Sequence, residues 1–519
     1  MSNPKSDSLF VIDRQEFDPK NYWYIHGKYY NLTNYMEKHP GGKFILEKTK
    51  GQGDLSALYE SYHAFSNIDN IDKYLKTFEV KFKTNTNQHQ YKIDNYNIIY
   101  IPKNNIYDAY LNIAESFDPP LEEEEDMIEK DSKQETETDI QEIQNETQFD
   151  FTNYRILAQQ AKQLFPTRES VKANHEWYTL IIASLFTFFY SFYQGLFSSP
   201  QSLLQKFAFL LSFLSDPLKV ALLRTFFITL ASASWIGIGF NVMHDGSHYA
   251  ITTDPNINYH ATKTYNALNG WNALMWFYHH VQNHHTYTGI EKKDPDLYMY
   301  HPLQISVYGN TNWVNTSLKK LHPYLFPFYF IFIPGQNIGQ GFLYLIASFQ
   351  RKISHTQLPD VQHTPEFYDT YDISFFFLAL LAYENVILLG NGYWLLLYFT
   401  QLNFFYMFNV IFDHDLFENT VEHKYHGKDW VEQQISHSGN FCNDNVFWTK
   451  WFGGINYQIE HHLFPSMSNT HYPTIAPLVK EYCQTNRITY VHQPTFKQAI
   501  QSFVKTLYWH SMTQEQKRD

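Results

Sequence analysis

Four long stretches of this 519-residue chain contain no charged residue, and they limit its possible folds more than any other feature. They cover residues 177–205, 225–243, 323–350 and 385–412. A helix of roughly 20 apolar residues crosses a hydrocarbon layer of about 30 Å, and each stretch is near or above that length. We therefore predict an all-α integral membrane module, with buried helices of a soluble protein as the alternative.

The net charge of −13 is concentrated in one segment of the chain. Residues 115–150 hold 15 Asp or Glu and only two Lys. Such a composition favours an acidic, self-repelling and disordered linker. It would join a small domain at residues 8–90 to a large domain at residues 151–519. Two cysteines, Cys442 and Cys483, indicate no disulfide framework.

The small domain contains two histidines in the pattern of a ligand pair. The stretch "MEKHPGGKF" places His39 before Pro-Gly-Gly, and His63 follows 24 residues later. Proline and the glycines favour a tight turn that exposes the first imidazole. Two neutral imidazoles on opposite walls of an apolar slot can bind a haem iron from both sides.

The stretch "YYNLTNYMEKHPGG" and the pattern D-x-x-x-x-Y-x-x-x-H that begins at Asp54 resemble the cytochrome b5 family. The resemblance implies a small α+β domain that holds haem b through His39 and His63. Such a domain carries one electron at a time. Leu55 departs from the small residue that the family usually has after the aspartate.

The large domain carries four histidine motifs, each just beyond an apolar stretch. They are "NVMHDGSHYA" with His244 and His248, "WFYHHVQNHHTYTG" with His280, His284 and His285, "NVIFDHDLF" with His414, and "NYQIEHHLFP" with Gln458, His461 and His462. Histidines four residues apart share one face of an α-helix. An α-helix would turn His285 about 100° from His284, towards a second metal. So many imidazoles suit two metal ions.

The ligands alone do not identify the metal, because imidazole binds iron, zinc and copper. A haem domain in the same chain favours a redox metal, and hence iron. A carboxylate di-iron site of a helical bundle needs two Glu-x-x-His pairs. The chain offers Glu60–His63, which lies in the small domain. We therefore predict a histidine-rich pair of irons.

The whole set resembles the membrane fatty acid desaturases, and among them the cytochrome b5-fused front-end desaturases. That branch inserts a double bond between an existing one and the carboxyl end, and it has glutamine at the position of Gln458. The resemblance implies an oxygen-dependent acyl-lipid or acyl-CoA desaturase with two non-haem irons and no catalytic residue beyond the metal ligands. The ligands that it implies are His244, His248, His280, His284, His285, His414, Gln458, His461 and His462.

The surroundings of His414 depart from the family pattern, and His437 in "QQISHSGN" is the alternative ligand. Four acidic residues are candidates for hydrogen bonds to ligand imidazoles, with helix capping or ion pairing as equal alternatives. They are Asp245, Asp294, Asp296 and Glu460.

If all histidine motifs serve one site, an even number of membrane spans must separate them. We predict four spans, at residues 177–199, 218–241, 373–389 and 393–412, with residues 323–350 interfacial or re-entrant. The N-terminus, the C-terminus and a histidine-rich cap that holds the metals would then face the cytosol. The family resemblance favours the endoplasmic reticulum.

The expected partners are a fatty acyl substrate, membrane lipid and NADH-cytochrome b5 reductase, and no nucleic acid is expected. The linker would tether the haem near the irons. A b5-fused sphingolipid desaturase and a fatty acyl hydroxylase are the alternative enzymes. Outside enzymes, the alternative is a membrane-tethered electron-transfer protein. The position of the new double bond depends on the length of the acyl tunnel, which the sequence does not give.

Overall fold

The computed structural model describes residues 10–12, 17–82, 149–290, 293–298, 323–324, 340–353, 356–422 and 427–512. The chain divides into two compact units, of which the first is Met1–Arg168 with His426–Val431 and the second is the remainder. Most of the predicted linker, residues 115–150, lies outside the described residues, as does much of 323–350. The domain boundaries at 8–90, 115–150 and 151–519 stay predictions.

The first unit contains the small α+β domain. Its elements are β1 (Phe10–Ile12), β2 (Trp23–Ile25), β3 (Lys28–Tyr30), α1 (Lys43–Thr49), α2 (Ser56–Tyr62), α3 (Ile68–Leu75) and β4 (Val80–Phe82). Strands β2 and β3 form an antiparallel hairpin, and β1 pairs with β4 in parallel. Trp23 and Ile25 are both buried, as the two-residue period of a strand requires for one inward face.

The same unit contains a helix from beyond the acidic segment, α4 (Thr152–Leu164). The Asp150 carboxylate accepts a hydrogen bond from the Thr152 backbone N–H at 2.9 Å, which satisfies a free donor at the start of the helix. The Asp150 backbone N–H donates to the Lys428 carbonyl oxygen at 2.6 Å, and the Trp430 N–H donates to the Asp150 oxygen at 3.1 Å. Residues 427–431 therefore pack with α4.

The described residues after α4 are predominantly helical. In chain order their α-helices of four or more residues are α5 (His175–Phe192), α6 (Pro200–Phe207), α7 (Asp216–Ile238), α8 (Pro255–Thr262), α9 (Asn266–Asn269), α10 (Ala273–Trp276), α11 (Gln340–Gln350), α12 (Pro365–Ala382), α13 (Gly392–His414), α14 (Trp430–Ser436), α15 (Val446–Trp451), α16 (Gln458–Leu463), α17 (Tyr472–Asn486) and α18 (Phe496–Ser511). Two short strand pairs join them, β5 (Lys352–Ile353) with β6 (Thr356–Gln357) and β7 (Asn440–Phe441) with β8 (His492–Gln493).

Several of these helices end in π-helical turns. The π segments are Tyr193–Phe197 after α5, Gly239–His244 after α7, Phe277–His284 after α10 and Tyr383–Leu388 after α12. Two of them carry histidine motifs. Single π turns inside helices occur often at functional sites, because the wider turn changes which residues share a face.

Within the described residues, three helices are long and apolar enough to cross a membrane: His175–Phe197, Asp216–Ser247 and Gly392–His414. They coincide with the predicted spans at 177–199, 218–241 and 393–412. The predicted span at 373–389 falls on a shorter apolar helix, Ser374–Leu388. The count of four spans therefore stays a prediction.

The three long helices pack together and leave apolar faces outward. Phe188 of α5 lies against Trp235 of α7, with ring centroids 4.7 Å apart, and the Ser232 hydroxyl donates to the Tyr398 carbonyl oxygen of α13 at 3.2 Å. On the opposite face of α5, Phe186 and Phe189 are 72% and 63% exposed. Large exposed apolar faces mark surfaces that contact lipid or protein, and together with the length of the helices they indicate a membrane protein.

Candidate metal centres

The two predicted haem ligands of the first unit, His39 and His63, lie close together, with ring centroids 6.3 Å apart. The Nδ1 atom of His39 is 3.3 Å from the Gly42 carbonyl oxygen, and that of His63 is 2.7 Å from the Tyr59 oxygen. Because a carbonyl only accepts, Nδ1 carries the proton in each ring and Nε2 keeps its lone pair. With metal–nitrogen bonds of about 2 Å, two rings on one iron would have centroids roughly 6 Å apart. The pair fits a haem.

Both imidazoles are kept neutral, as iron ligands must be. Burial and the neighbouring His63 lower the pKa of His39 to about 4. Burial also lowers the pKa of His63, against the opposing effect of its bond to Tyr59. The motif has glycine at position 41 because a side chain there would collide with the His39 ring: a Cβ on Gly41 would lie 2.8 Å from Cε1 of His39.

In the second unit, a first group of four buried histidines comes together. Its members are His244, His248, His280 and His461, whose ligand nitrogens all lie within 4.8 Å of one another. The Nε2 atoms of His244 and His280 are 3.2 Å apart. Two nitrogens at right angles on one metal would be roughly 3 Å apart for bonds of about 2.1 Å. Nε2 of His461 is buried with no hydrogen-bond partner, which a metal ion would supply.

A second group consists of His284, His414 and His462, again with ligand nitrogens within 4.8 Å of one another. The side-chain nitrogen of Gln458 is 3.0 Å from Nε2 of His414 and 3.2 Å from Nε2 of His462, while its oxygen is buried without a partner. The two ends of an amide are interchangeable in such an assignment. Turned over, the oxygen would face the space between these imidazoles, where it could bind a metal.

Of the two alternatives for the isolated ligand, the structure places His414 in this second group. Among the described residues, the groups that could hold a metal do not include His437. The Nδ1 atom of His437 is instead 3.0 Å from the Gln433 carbonyl oxygen. The carbonyl oxygen of His437 accepts a hydrogen bond from Nδ1 of His414 at 2.7 Å, which orients the His414 ring.

His285 joins the two groups. Its Nε2 atom is 3.2 Å from Nε2 of His280, and its ring stacks on His462 with centroids 4.3 Å apart. The expectation that His285 would lie about 100° round from His284 assumed α-helical winding. The segment Phe277–His284 is π-helical, so residues five apart lie closer to one face than they do in an α-helix. The sequence motif gives no sign of this extra residue in the turn.

Side chains outside the histidine motifs hold three of the imidazoles. Nδ1 of His284 is 2.9 Å from Oδ1 of Asp294, a partner that the sequence had suggested. Nδ1 of His461 bonds to the Tyr472 hydroxyl at 3.0 Å, and Nδ1 of His462 is 2.9 Å from Oε1 of Gln434. Such partners fix the ring orientation and leave the other nitrogen for a metal. Sequence analysis missed Tyr472 and Gln434, because neither lies in a histidine motif.

The other acidic candidates have further partners. Asp296 lies 2.5 Å from Nε2 of His279 and 3.4 Å from Nδ1 of His284, and with His280 and His284 it forms a third group that could hold a metal. The Asp245 carboxylate accepts from the Asn469 amide at 2.9 Å and lies 3.8 Å from Nδ1 of His244. Glu460 accepts hydrogen bonds from Asn440 at 2.7 Å and from the Tyr490 hydroxyl at 2.8 Å. Glu460 thus braces the last histidine motif against its neighbours instead of orienting an imidazole.

Burial sets the protonation of most of these imidazoles. It lowers the pKa of five of them well below the usual value, and repulsion among the rings adds to the effect; these are His248, His280, His285, His461 and His462. His284 differs. Burial lowers its pKa, but Asp296 and Asp294 outweigh burial and raise it to about 9. Without metal, His284 therefore holds an extra proton at neutral pH, which metal binding must displace.

One cavity opens onto both groups. Histidines from each, together with Gln458, form part of its wall. Apolar side chains form another part, among them Phe240, Trp276, Leu297, Tyr406 and Val410. An apolar wall beside metal ligands can hold an alkyl chain next to the reacting centre and exclude water from it.

Two protein families match this chain. The fatty acid desaturase family matches residues 220–494, more than half of the chain. The chain belongs to the fatty acid desaturase family. The family of cytochrome b5-like haem/steroid binding domains matches residues 12–81 of this desaturase. The desaturase is therefore an oxidoreductase whose cofactors are a haem and two non-haem irons, and its histidine groups fit them.

Curated relatives are similar over nearly the whole desaturase. It is 24% identical to an acyl-lipid (8-3)-desaturase of Mortierella alpina, over 93% of this chain and 92% of the relative. It is 23% identical to acyl-lipid (8-3)-desaturase B of Dictyostelium discoideum, over 98% and 91%. A sn-1 linoleoyl-lipid 6-desaturase of Synechocystis is 27% identical over 54% of this chain and 78% of its own. The comparison with solved structures gave no match.

Proposed function

We propose that this protein is a front-end desaturase. It introduces a cis double bond into an unsaturated or polyunsaturated fatty acyl chain, between an existing double bond and the carboxyl end. The observation that carries the proposal is Gln458, which lies beside His414 and His462 where the front-end branch has its glutamine. Two relatives that are similar over nearly the whole chain are named acyl-lipid (8-3)-desaturases. Their names support the proposal and favour an acyl-lipid substrate.

The proposed metal ligands are nine residues: the seven histidines of the two groups, together with His285 and Gln458. They are His244, His248, His280, His284, His285, His414, Gln458, His461 and His462. The bound irons supply the oxidising power that removes hydrogen from an unactivated methylene, which side-chain acids and bases cannot do. The chain itself orients the imidazoles through Asp294, Tyr472 and Gln434. The apolar cavity wall holds one methylene pair in place and keeps water away.

The electron balance of the reaction explains why the enzyme needs an electron carrier such as the haem domain. Desaturation takes two electrons and two protons from the acyl chain. Reduction of O₂ to two waters needs four of each, so two electrons and two protons enter from outside. His39 and His63 would hold the haem, which would supply these electrons one at a time. NADH-cytochrome b5 reductase is the proposed donor to the haem.

The proposed topology has four spans, with both termini and the metal site on the cytosolic side of the endoplasmic reticulum. His244 lies near the end of the candidate span Asp216–Ser247, and His414 ends the candidate span Gly392–His414. Both spans deliver ligands to one site, so these two ends lie on the same side of the membrane. Counting Ser374–Leu388 as a span keeps the number of crossings between the motifs even.

Expression in a host that is fed defined polyunsaturated acids tests the function. Mass spectrometry that locates double bonds is expected to find a new cis bond on the carboxyl side of an existing one. A hydroxylated acyl product would favour a hydroxylase, and a modified sphingoid base would favour a sphingolipid desaturase. No new product, with a haem that is reduced by NADH and reductase, would contradict the proposal.

A further inference from the structure

Helix α4, Thr152–Leu164, lies outside both family matches, which cover residues 12–81 and 220–494. It is nevertheless part of the first compact unit, together with the haem domain. Neither the haem site nor the histidine groups account for it. Its contacts within that unit show what it does.

Arg155 of α4 binds two carboxylates of the haem domain. Its Nε atom is 3.0 and 3.1 Å from the two oxygens of Glu60, and Nη1 is 2.9 Å from Oδ2 of Asp72. The planar guanidinium matches carboxylates in this forked manner, which a single point charge does not. Arg155 therefore fits a specific pair of acceptors.

Glu60 is 2% exposed, so its carboxylate has lost nearly all of its water. A buried carboxylate needs a cation and further hydrogen bonds to offset that loss. Arg155 supplies the cation, and Nε2 of His26 lies 2.7 Å from Oε1 of Glu60. The Tyr59 hydroxyl donates to Asp72 at 2.6 Å. The haem domain thus presents an acidic site that is completed by a residue from beyond the acidic segment.

The contact extends along one face of α4. Phe151 lies against the His26 ring at 5.6 Å, Lys162 donates to the Ser66 carbonyl oxygen, and Phe165 meets Phe65 at 6.3 Å. Arg155 and Lys162 of α4, with the flanking Phe151 and Phe165, recur at helical spacing and so form one stripe.

A second layer lies behind this stripe. Trp430 packs on Tyr154 and Phe151, with ring centroids 4.9 and 5.7 Å away. In the sequence, Trp430 lies within the desaturase match, between His414 and His437.

We propose that α4, backed by residues 427–431, is a docking surface for the haem domain of the same chain, and that Arg155 is the residue that holds it there. The occupant follows from charge and shape. An acidic pair on the haem domain, the buried Glu60 and the partly exposed Asp72, meets the arginine of α4, and aromatic rings flank this contact on both sides. In this arrangement the haem domain is held on α4 by its contacts, and the acidic segment only connects the haem domain to α4 in the sequence. The proposal concerns docking alone and does not depend on which acyl chain is the substrate.

The test is to cut the acidic segment and ask whether the haem domain stays. A site for a sequence-specific protease is placed within residues 115–148 of the full chain, which carries a C-terminal affinity tag. After cleavage and washing on the affinity resin, the N-terminal fragment retained is measured on a gel and by haem absorbance. The unaltered chain is expected to keep most of the fragment. Arg155→Gln is expected to lower retention by about tenfold, because it leaves the buried Glu60 carboxylate without its cation.

Lys28→Gln is the matched control. It removes one positive charge from the same compact unit, where Lys28 is half exposed and pairs with Glu79 at 3.1 Å. Exposed pairs contribute little, so retention is expected to equal that of the unaltered chain. Loss of the fragment from the unaltered chain would overturn docking. Equal retention by Arg155→Gln and Lys28→Gln would overturn the role of Arg155.

Asp72→Asn covers the case in which Arg155→Gln lowers the haem content of the uncut chain. Asp72 is about one-third exposed, so neutralising it leaves the buried Glu60 bonds intact. Retention is expected to fall, but less than with Arg155→Gln. Unchanged retention in Asp72→Asn, with normal haem content, would contradict the proposed contact.

Discussion

The haem site and the histidine-rich centre are both built from buried imidazoles, but they hold those imidazoles in different ways. His39 and His63 are oriented by carbonyl oxygens three and four residues away in the chain, those of Gly42 and Tyr59. His461 and His462 are oriented by Tyr472 and Gln434, side chains that other elements supply. The haem pair is a local structure, whereas the second centre exists only when distant segments have packed.

This difference predicts different sensitivities. A site held by its own backbone tolerates changes elsewhere, because its hydrogen bonds form with the turn itself. A site held by remote side chains loses ligand geometry when any one of them changes. Each substitution below is therefore followed by two readouts, the haem spectrum and the desaturated product.

His461→Ala is expected to have the largest effect. It removes a ligand from the first group, so product should fall by at least about 100-fold, more than the loss typical of an outer partner. The reduced and oxidised haem spectra should be unchanged, since His461 belongs to the other unit. Product yield and haem spectra in host membranes measure both effects. Loss of the haem signal would contradict the separation of the two sites.

His39→Ala is the converse change. The haem should be lost because one of its two axial ligands is gone. Non-haem iron should stay bound, and product should fall by about tenfold or more, because only separate carriers of the host could still deliver electrons. Haem absorbance and iron content of the purified protein are the measurements. Full activity without haem would show that the fused domain is not the electron donor.

Gln434→Ala tests the remote support of the second group. It removes the partner of Nδ1 of His462, and a loss of about tenfold in product or iron affinity is expected. Gln484→Ala is the control, because Gln484 is exposed on α17. If the two variants have equal activity, the ring of His462 is held by other contacts, and the contrast between the two sites is weaker than stated.

Gln458→His should have the smallest effect. Imidazole and amide oxygen can both bind iron, so activity within about threefold of the unaltered protein is expected. Gln458→Ala offers no ligand atom and should lose more. Product yields of the two variants decide the point. Equal yields would mean that Gln458 is not a ligand.

The parts predicted from the sequence are those with local signals. Pro40 and the glycines mark the turn beside His39, and stretches without charge mark the long helices. The matches to the cytochrome b5-like and fatty acid desaturase families confirmed both family resemblances, and three of the predicted spans fall on long apolar helices. The fourth span stays a prediction, since the apolar helix at that place is only Ser374–Leu388.

The parts that the sequence did not predict depend on packing or on an irregular turn. The π-helical winding of Phe277–His284 moves His285 towards His280, and a regular helix period cannot show this. Tyr472 and Gln434 lie outside the histidine motifs. Arg155 lies 95 residues from Glu60 and has no sequence feature that marks it as a partner.

The iron content of the purified protein tests the central claim most directly. Elemental analysis and haem absorbance on the same sample give total iron and haem iron per chain. We predict one haem and two non-haem irons per chain, and we predict that His461→Ala lowers the non-haem iron while haem stays constant. A chain with a full haem and no non-haem iron, in a protein that forms the desaturated product, would contradict the account.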